Sequence, residues 1–120
     1  MKHSAEYYIE HLEMEPHVEG GYFKECLLEK EERNLWSSIY FMLAKGEVSH
    51  FHRLKSDEVW YYHDGNALTI YMIDEAGKLT AAKLGLDLEK GEVPQVLVPK
   101  GMIFGSAMEE AGFSLVGCMV

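Results

Sequence analysis

Basic residues are scarce in this chain of 120 residues: 11 Lys and Arg stand against 20 Asp and Glu, a net charge of −9. That balance opposes the phosphate neutralisation that dominates nucleic-acid binding, so DNA and RNA are not expected partners. Long apolar runs are missing too. No stretch approaches the roughly 18 apolar residues of a membrane helix, and no membrane partner is expected. The opening M-K-H-S-A-E-Y-Y holds no apolar signal core, which sets the cytoplasm as the expected location. Cysteine is limited to Cys26 and Cys118, far apart and without a C-x-x-C companion. A structural disulfide is not expected, and both read as small buried or half-buried hydrophobes. Internal repeats, linkers and low-complexity tracts are absent.

Hydrophobic residues at 48% and charged residues at 26% describe a soluble globular chain. At this length roughly two-thirds of the extended surface is buried on folding, enough for one core, and residues 1–120 form a single domain. Residues 4–12 read as a short helix: Ser4 is the N-cap, Glu6 sits in the first turn, and Ala5, Tyr8, Ile9 and Leu12 follow helical spacing. Its narrow apolar stripe suits a cover over one end of a sheet. Pro16 and the pair Gly20-Gly21 then break the helix and shape a loop. Strands are expected over 22–28, 36–43, 67–73, 79–84, 95–98 and 113–120. Turn residues separate them at 64–66, 74–78 and 99–101, with loops over E-K-E-E-R-N (29–34) and D-L-E-K-G-E (87–92). Short strands with a turn every eight to twelve residues describe an antiparallel sandwich or barrel. In the 36–43 strand, Tyr40 shares a face with Ser38 and Met42, opposite Ile39 and Phe41.

The chemistry concentrates between Gly46 and Gly65. His50 and His52 stand two apart in a run with strand character, which puts both imidazoles on one face of a sheet. A second run begins at Glu58, and alternation places Glu58, Trp60 and Tyr62 on one face with Val59, Tyr61 and His63 on the other. If the two runs pair as a hairpin across R-L-K-S-D, two imidazoles, a carboxylate and two aromatics converge on one pocket.

Gly46, His50, His52, Glu58 and Gly65 stand at the spacing G-x3-H-x-H-x5-E-x6-G, which resembles the first cupin motif, G-x5-H-x-H-x3,4-E-x6-G. Gly91, Pro99, Gly101, Phe104 and Met108 partly match the second, G-x5-P-x-G-x2-H-x3-N. Within the cupins, P-H-V-E-G-G (16–21), V-S-H-F-H-R-L-K-S-D-E-V-W (48–60) and V-P-K-G-M-I-F-G (98–105) are similar to a branch of small single-domain proteins. The resemblance implies an all-β, antiparallel jelly-roll barrel with a short N-terminal helix. It also implies that His17 and Glu19 line the pocket mouth and that Phe104 walls the pocket. Most cupins hold a metal with the histidines and glutamate of the first motif and a histidine of the second, whose place Phe104 takes here. The remaining three, His50, His52 and Glu58, could hold one divalent ion, Zn, Fe, Mn or Ni. The loop before Glu58 is at least one residue longer than the motif, and a one-residue slip would reverse the face its side chain uses. Members of this branch generally continue past V-G-C-M-V with a tail that contains proline and phenylalanine. An uncovered sheet edge is the expected consequence, and a homodimer the expected remedy.

Three functions follow for a small-molecule ligand. One is an epimerase or isomerase acting on a sugar-like or polar carbonyl compound, with His50 or His52 as base and Tyr62 as acid, Tyr61 and Tyr40 being further proton donors. Arg53 and Lys55 would then bind an anionic group, with Trp60, Tyr40 and Phe104 as ligand contacts. The second is a metal-dependent enzyme using His50, His52 and Glu58. The third is a binding module without chemistry.

Overall fold

Strand 34–44 shows how the alternation is used. Phe41 and Leu43 are buried in the main core, while Met42 is buried on the opposite face against the N-terminal helix. An element buried on both faces must lie inside a layered structure. The computed structural model describes residues 2–30, 34–44 and 46–120. Helix α1 (Ala5–His11) is followed by β1 (Glu15–Pro16), β2 (Tyr22–Lys30), β3 (Asn34–Ala44), β4 (Val48–Arg53), β5 (Glu58–Gly65) and β6 (Leu68–Ile73). The chain continues through β7 (Leu79–Leu84), β8 (Glu92–Val93), β9 (Gln95–Val98), β10 (Ile103–Ala107) and β11 (Phe113–Met119). One sheet has the order β1-β2-β3-β11-β5-β9, the other β4-β10-β6-β7-β8. Among the described residues, pairing is antiparallel except for the two-residue match of β7 with β8. The fold is the expected all-β jelly roll with one short helix.

Two expectations need correction. Strands β4 and β5 do not pair as a hairpin: β4 bonds to β10, and β5 bonds to β11 and β9 in the other sheet. The segment after Arg53 therefore crosses between layers, which explains why it is longer than a hairpin turn requires. Strand β10 carries no sequence signal of its own, because I-F-G-S-A is short and contains a glycine. Its place is set by pairing on both sides, to β4 and β6. The loop expected over 87–92 contains a 3-10 turn at Leu88–Lys90 closed by left-handed Gly91. Residues 31–33 of the charged stretch lie outside the described residues.

The helix covers the outer face of the six-stranded sheet. Ser4 caps it by accepting from the Tyr7 N–H at 3.1 Å. Tyr8, Ile9 and Leu12 pack with Met14 on Met42, Phe113 and Leu115. Asp64 fixes the helix in place, accepting from the Tyr8 hydroxyl at 2.7 Å and the Lys2 N–H at 2.9 Å. Burial alone would raise the Asp64 carboxyl, but the bonds from Tyr8, Lys2 and Gly65 outweigh it and hold it down at about 2. Burial and the same carboxylate push Tyr8 up to about 12.

The loop between β1 and β2 is shaped by glycine. The His17 N–H donates to the Gly21 carbonyl at 2.9 Å, and the Gly20 N–H to the His17 carbonyl at 3.1 Å. Gly20 holds φ +113° with its α-carbon against the Val48 carbonyl oxygen, where a Cβ would collide with backbone. Gly77 has φ +82° but open space around it. Gly20→Ala is expected to cost about 3 kcal/mol or more, combining strain with collision, against about 1 kcal/mol for Gly77→Ala. Urea unfolding of the two variants measures the difference, and equal losses would refute the close approach of this loop to β4.

Candidate functional site

Between the sheets the aromatic core is edge-to-face. Phe41 and Trp60 ring centroids lie 5.9 Å apart at 80°, and Trp60 and Phe104 lie 6.3 Å apart at 88°. These rings leave a cavity of about 40 Å³, whose walls also include His17, Ser49, His52, Glu58 and Cys118. That volume holds roughly three water molecules. His17 and His52 keep part of their surface exposed while Trp60, Phe104 and Cys118 keep almost none, so the cavity opens past the two histidines.

Which histidine faces inward is decided by a bulge. On β10, Phe104 pairs with His52 and Ser106 with Ser49, so three residue steps on β4 oppose two on β10. The extra residue breaks the alternation. Ser49 and His52 line the cavity, whereas His50 is exposed and lines an apolar groove on the outer face of the sheet, with Phe51, Ile73 and Leu79. Phe51 lies over Gly105, where any Cβ would meet its ring. His50 contributes its backbone: its N–H donates to the Glu19 carbonyl at 2.9 Å, and its carbonyl contacts His52 Nδ1 at 2.9 Å.

The remaining expected residues divide in the same way. Trp60, Phe104, His17, His52 and Glu58 share the cavity. Phe104, 1% exposed, is both core and wall, with its ring centroid 4.4 Å from that of His52. Glu19 braces the loop through its backbone. Tyr40 lies on the outer face, packed with the helix cluster and edge-on to His63 at 5.9 Å. Tyr62 packs against the main core, but its hydroxyl donates to the Gly65 carbonyl at 2.6 Å and it is no wall of the cavity. Arg53 is exposed. Ser49 and Cys118 are cavity residues that sequence reasoning missed. Ser49 was hidden by the bulge, and Cys118 carries no signal beyond its place in an apolar strand. Both cysteines are free.

A metal held by His50, His52 and Glu58 does not fit this arrangement, because His50 is on the other side of the sheet. Among the described residues, no group of three or more His, Cys, Asp or Glu could hold a metal ion. His17 does not substitute for His50. Its Nδ1 accepts from the Glu19 N–H at 2.9 Å, so in the neutral ring Nε2 keeps its hydrogen and has no lone pair for a metal. Burial lowers the His17 pKa, with His52 adding to that and Glu19 opposing it, which keeps the ring neutral.

The cavity therefore has a fixed polarity. His52 Nδ1 faces a carbonyl, which can only accept, so Nδ1 carries the hydrogen and neutral His52 offers the Nε2 lone pair. His17 offers an N–H. Glu58, 8% exposed, accepts from Trp60 Nε1 at 2.8 Å through Oε1, an interaction that their i, i+2 placement on one strand face allows. Burial pushes the Glu58 carboxyl up to about 6, against the lowering effects of the Trp60 bond and of His52. Burial, and then the Glu58 charge, raises the Cys118 thiol well above its usual value.

Comparison with known proteins agrees with this architecture. A family model described as Cupin superfamily (DUF985) matches residues 6–120. A crystal structure of a protein from Shewanella oneidensis is 60% identical with a TM-score of 0.93, over 98% of this chain and 77% of that one. A hypothetical protein from Leishmania major is 34% identical with a TM-score of 0.90, over 98% of this chain and 81% of that one. A mutant of Bacillus subtilis oxalate decarboxylase, 20% identical with a TM-score of 0.65 over 88% of this chain and 26% of that one, shares the fold. No curated protein matches the chain.

Glu58 gives a stability test with a definite sign. Its folded-state pKa lies above the usual 4.5, so its contribution is fully present below about pH 4.5 and is lost as pH rises through about 6. The loss amounts to about 2 kcal/mol. In Glu58→Gln, which keeps an acceptor for Trp60, that slope should vanish, and the variant should match or exceed the parent at pH 7.5. Urea unfolding at pH 4.5 and 7.5 reads it; an unchanged slope in the variant would remove Glu58 as its source. By the match over residues 6–120 and the likeness to the Shewanella oneidensis and Leishmania major proteins, the chain belongs to the cupin superfamily, in the family described as DUF985.

Proposed function

We propose that this chain is a small-molecule-binding cupin that moves a proton on a small polar carbonyl compound, the step shared by isomerases and epimerases. His52 is the base and Glu58 its acid partner, in the role that the sequence offered to Tyr62. The observation that carries this reading is the Glu58 carboxyl, buried in the cavity wall with its pKa at about 6 and under the electrostatic influence of His52. A carboxyl in that range exchanges its proton readily near neutral pH, where an ordinary glutamate is ionised.

His52 Nε2 takes the proton from the carbon next to the carbonyl, and the carbonyl oxygen receives the Glu58 proton, giving an enediol. With an α-hydroxycarbonyl compound, epimerisation follows when His52 returns its proton to the opposite face of the carbon once the enediol turns over and the oxygen returns its proton to Glu58. Isomerisation follows when His52 gives its proton to the former carbonyl carbon and the Glu58 carboxylate takes the proton of the other hydroxyl, which becomes the new carbonyl. The His52 tautomer needed for the first transfer is the one its backbone contact holds. Trp60 binds Glu58 Oε1 and so orients the carboxyl, leaving Oε2 for the substrate.

The test is exchange of α-protons in deuterated buffer, followed by proton NMR, over a panel of hydroxyacetone, glycolaldehyde and dihydroxyacetone. Exchange above the buffer rate is expected, declining as pH rises past about 6 and falling roughly 10²-fold in His52→Gln and in Glu58→Gln. A panel that is bound but exchanges no faster than in buffer would leave a binding protein without chemistry and sink the acid–base reading.

A further inference from the structure

We infer that the cavity takes an uncharged molecule carrying a carbonyl acceptor beside an O–H or N–H donor, such as an α-hydroxycarbonyl or an amide, and turns away carboxylates. The inference deepens the acid–base reading and rests on the same two side chains, His52 and Glu58, with His17 added.

Two nitrogens of opposite character are available to the cavity. His17 Nδ1 accepts from the Glu19 N–H, leaving Nε2–H as a donor. His52 Nδ1 faces the His50 carbonyl, leaving Nε2 as an acceptor. Both assignments are imposed by backbone groups within two residues, so neither ring can flip roles without breaking a hydrogen bond. A ligand that accepts at one point and donates at an adjacent one satisfies both. A carboxylate only accepts, and would leave His52 Nε2 facing an oxygen lone pair.

Charge points the same way. Among the described residues, no lysine or arginine belongs to the cavity walls, and Arg53, beside His52 in sequence, is exposed. An anion entering the cavity would meet Glu58 and no fixed cation. Burial of an unpaired charge there is unfavourable. Size sets the third limit. About 40 Å³ between the Phe41, Trp60 and Phe104 rings admits a flat group of three or four heavy atoms, so the rest of a larger molecule stays outside, past the histidines. For so few atoms, Kd is expected no tighter than on the order of tens of micromolar.

The experiment uses the full chain carrying Trp36→Phe, which leaves Trp60 as the sole indole, labelled with nitrogen-15. Hydroxyacetone and acetamide, and separately acetate and pyruvate, are titrated at pH 7.5 and constant ionic strength while the Trp60 Nε1–H resonance is followed. Saturable shifts with the two neutral compounds, at least tenfold tighter than with the two carboxylates, are expected. A His17→Phe variant should weaken the neutral compounds about tenfold. Carboxylates binding as tightly as the neutral compounds, or no response to either class at 100 mM, would overturn the inference. Parallel α-proton exchange on hydroxyacetone and pyruvate separates it from the reading beneath it. Saturable binding of hydroxyacetone without exchange supports the ligand class and removes the acid–base step. Exchange on pyruvate with no response to hydroxyacetone does the reverse.

Discussion

The arrangement of the site depends on one irregular pairing, three residue steps of β4 against two of β10. A regular ladder would have sent His50 and His52 into the same space and produced a two-imidazole site of the kind that holds metal. The extra residue instead turns Ser49 and His52 inward and leaves His50 and Phe51 on the outer face. It also makes the His50 carbonyl available to His52 Nδ1. The same irregularity therefore removes a ligand from the cavity and fixes the tautomer of the imidazole that stays. Gly105 belongs to this device, because only a residue without a side chain leaves room for the Phe51 ring across β10.

Two carboxyls show how placement decides sign. Asp64 and Glu58 lie on the same strand and both are buried, yet they shift in opposite directions. Asp64 collects donors from Tyr8, Lys2 and Gly65, and these stabilise its charge more than burial opposes it. Its stability contribution is present above the ordinary carboxylate pKa and fades as pH falls toward 2. Glu58 has the Trp60 indole and the influence of His52, and burial wins. Asp64 thus works as a tie between the helix and the sheet, while Glu58 is held as a weak acid whose ionisation works against folding above pH 6. A group that opposes folding in this way suits the acid role proposed for Glu58.

Much of the fold was legible. Strands β3, β5, β6, β9 and β11 announce themselves by β-branched and aromatic content between turn residues, β7 by its place between turns, and α1 by its Ser4 cap and apolar spacing. Strand β10 was not legible, because Gly105 and Ser106 carry no strand preference and its position comes from two neighbours. Part of the site could be read from spacing, His52 in its strand and Glu58 with Trp60 on one face, while His17 and Phe104 were reached only through the family resemblance. The bulge could not be read, since V-S-H-F-H alternates as well with either register. Tyr62 was misassigned for a different reason. Alternation puts it on the right face, but distance along the strand and the Gly65 carbonyl keep its hydroxyl out of the cavity.

The polarity of the cavity is in consequence a property of the backbone more than of its side chains. The Glu19 N–H and the His50 carbonyl impose opposite tautomers on two otherwise identical rings, and those two residues are themselves joined, because the His50 N–H donates to the Glu19 carbonyl. The loop after Pro16 and the bulged strand form one hydrogen-bonded unit, brought together where Gly20 meets the Val48 carbonyl. Displacing that loop would break the bond between the His50 N–H and the Glu19 carbonyl and shift the His17 ring relative to His52, although His17 and its Glu19 donor would move together. The placement of His17 against His52 accordingly rests on a glycine outside the cavity wall and on how closely two backbone segments approach.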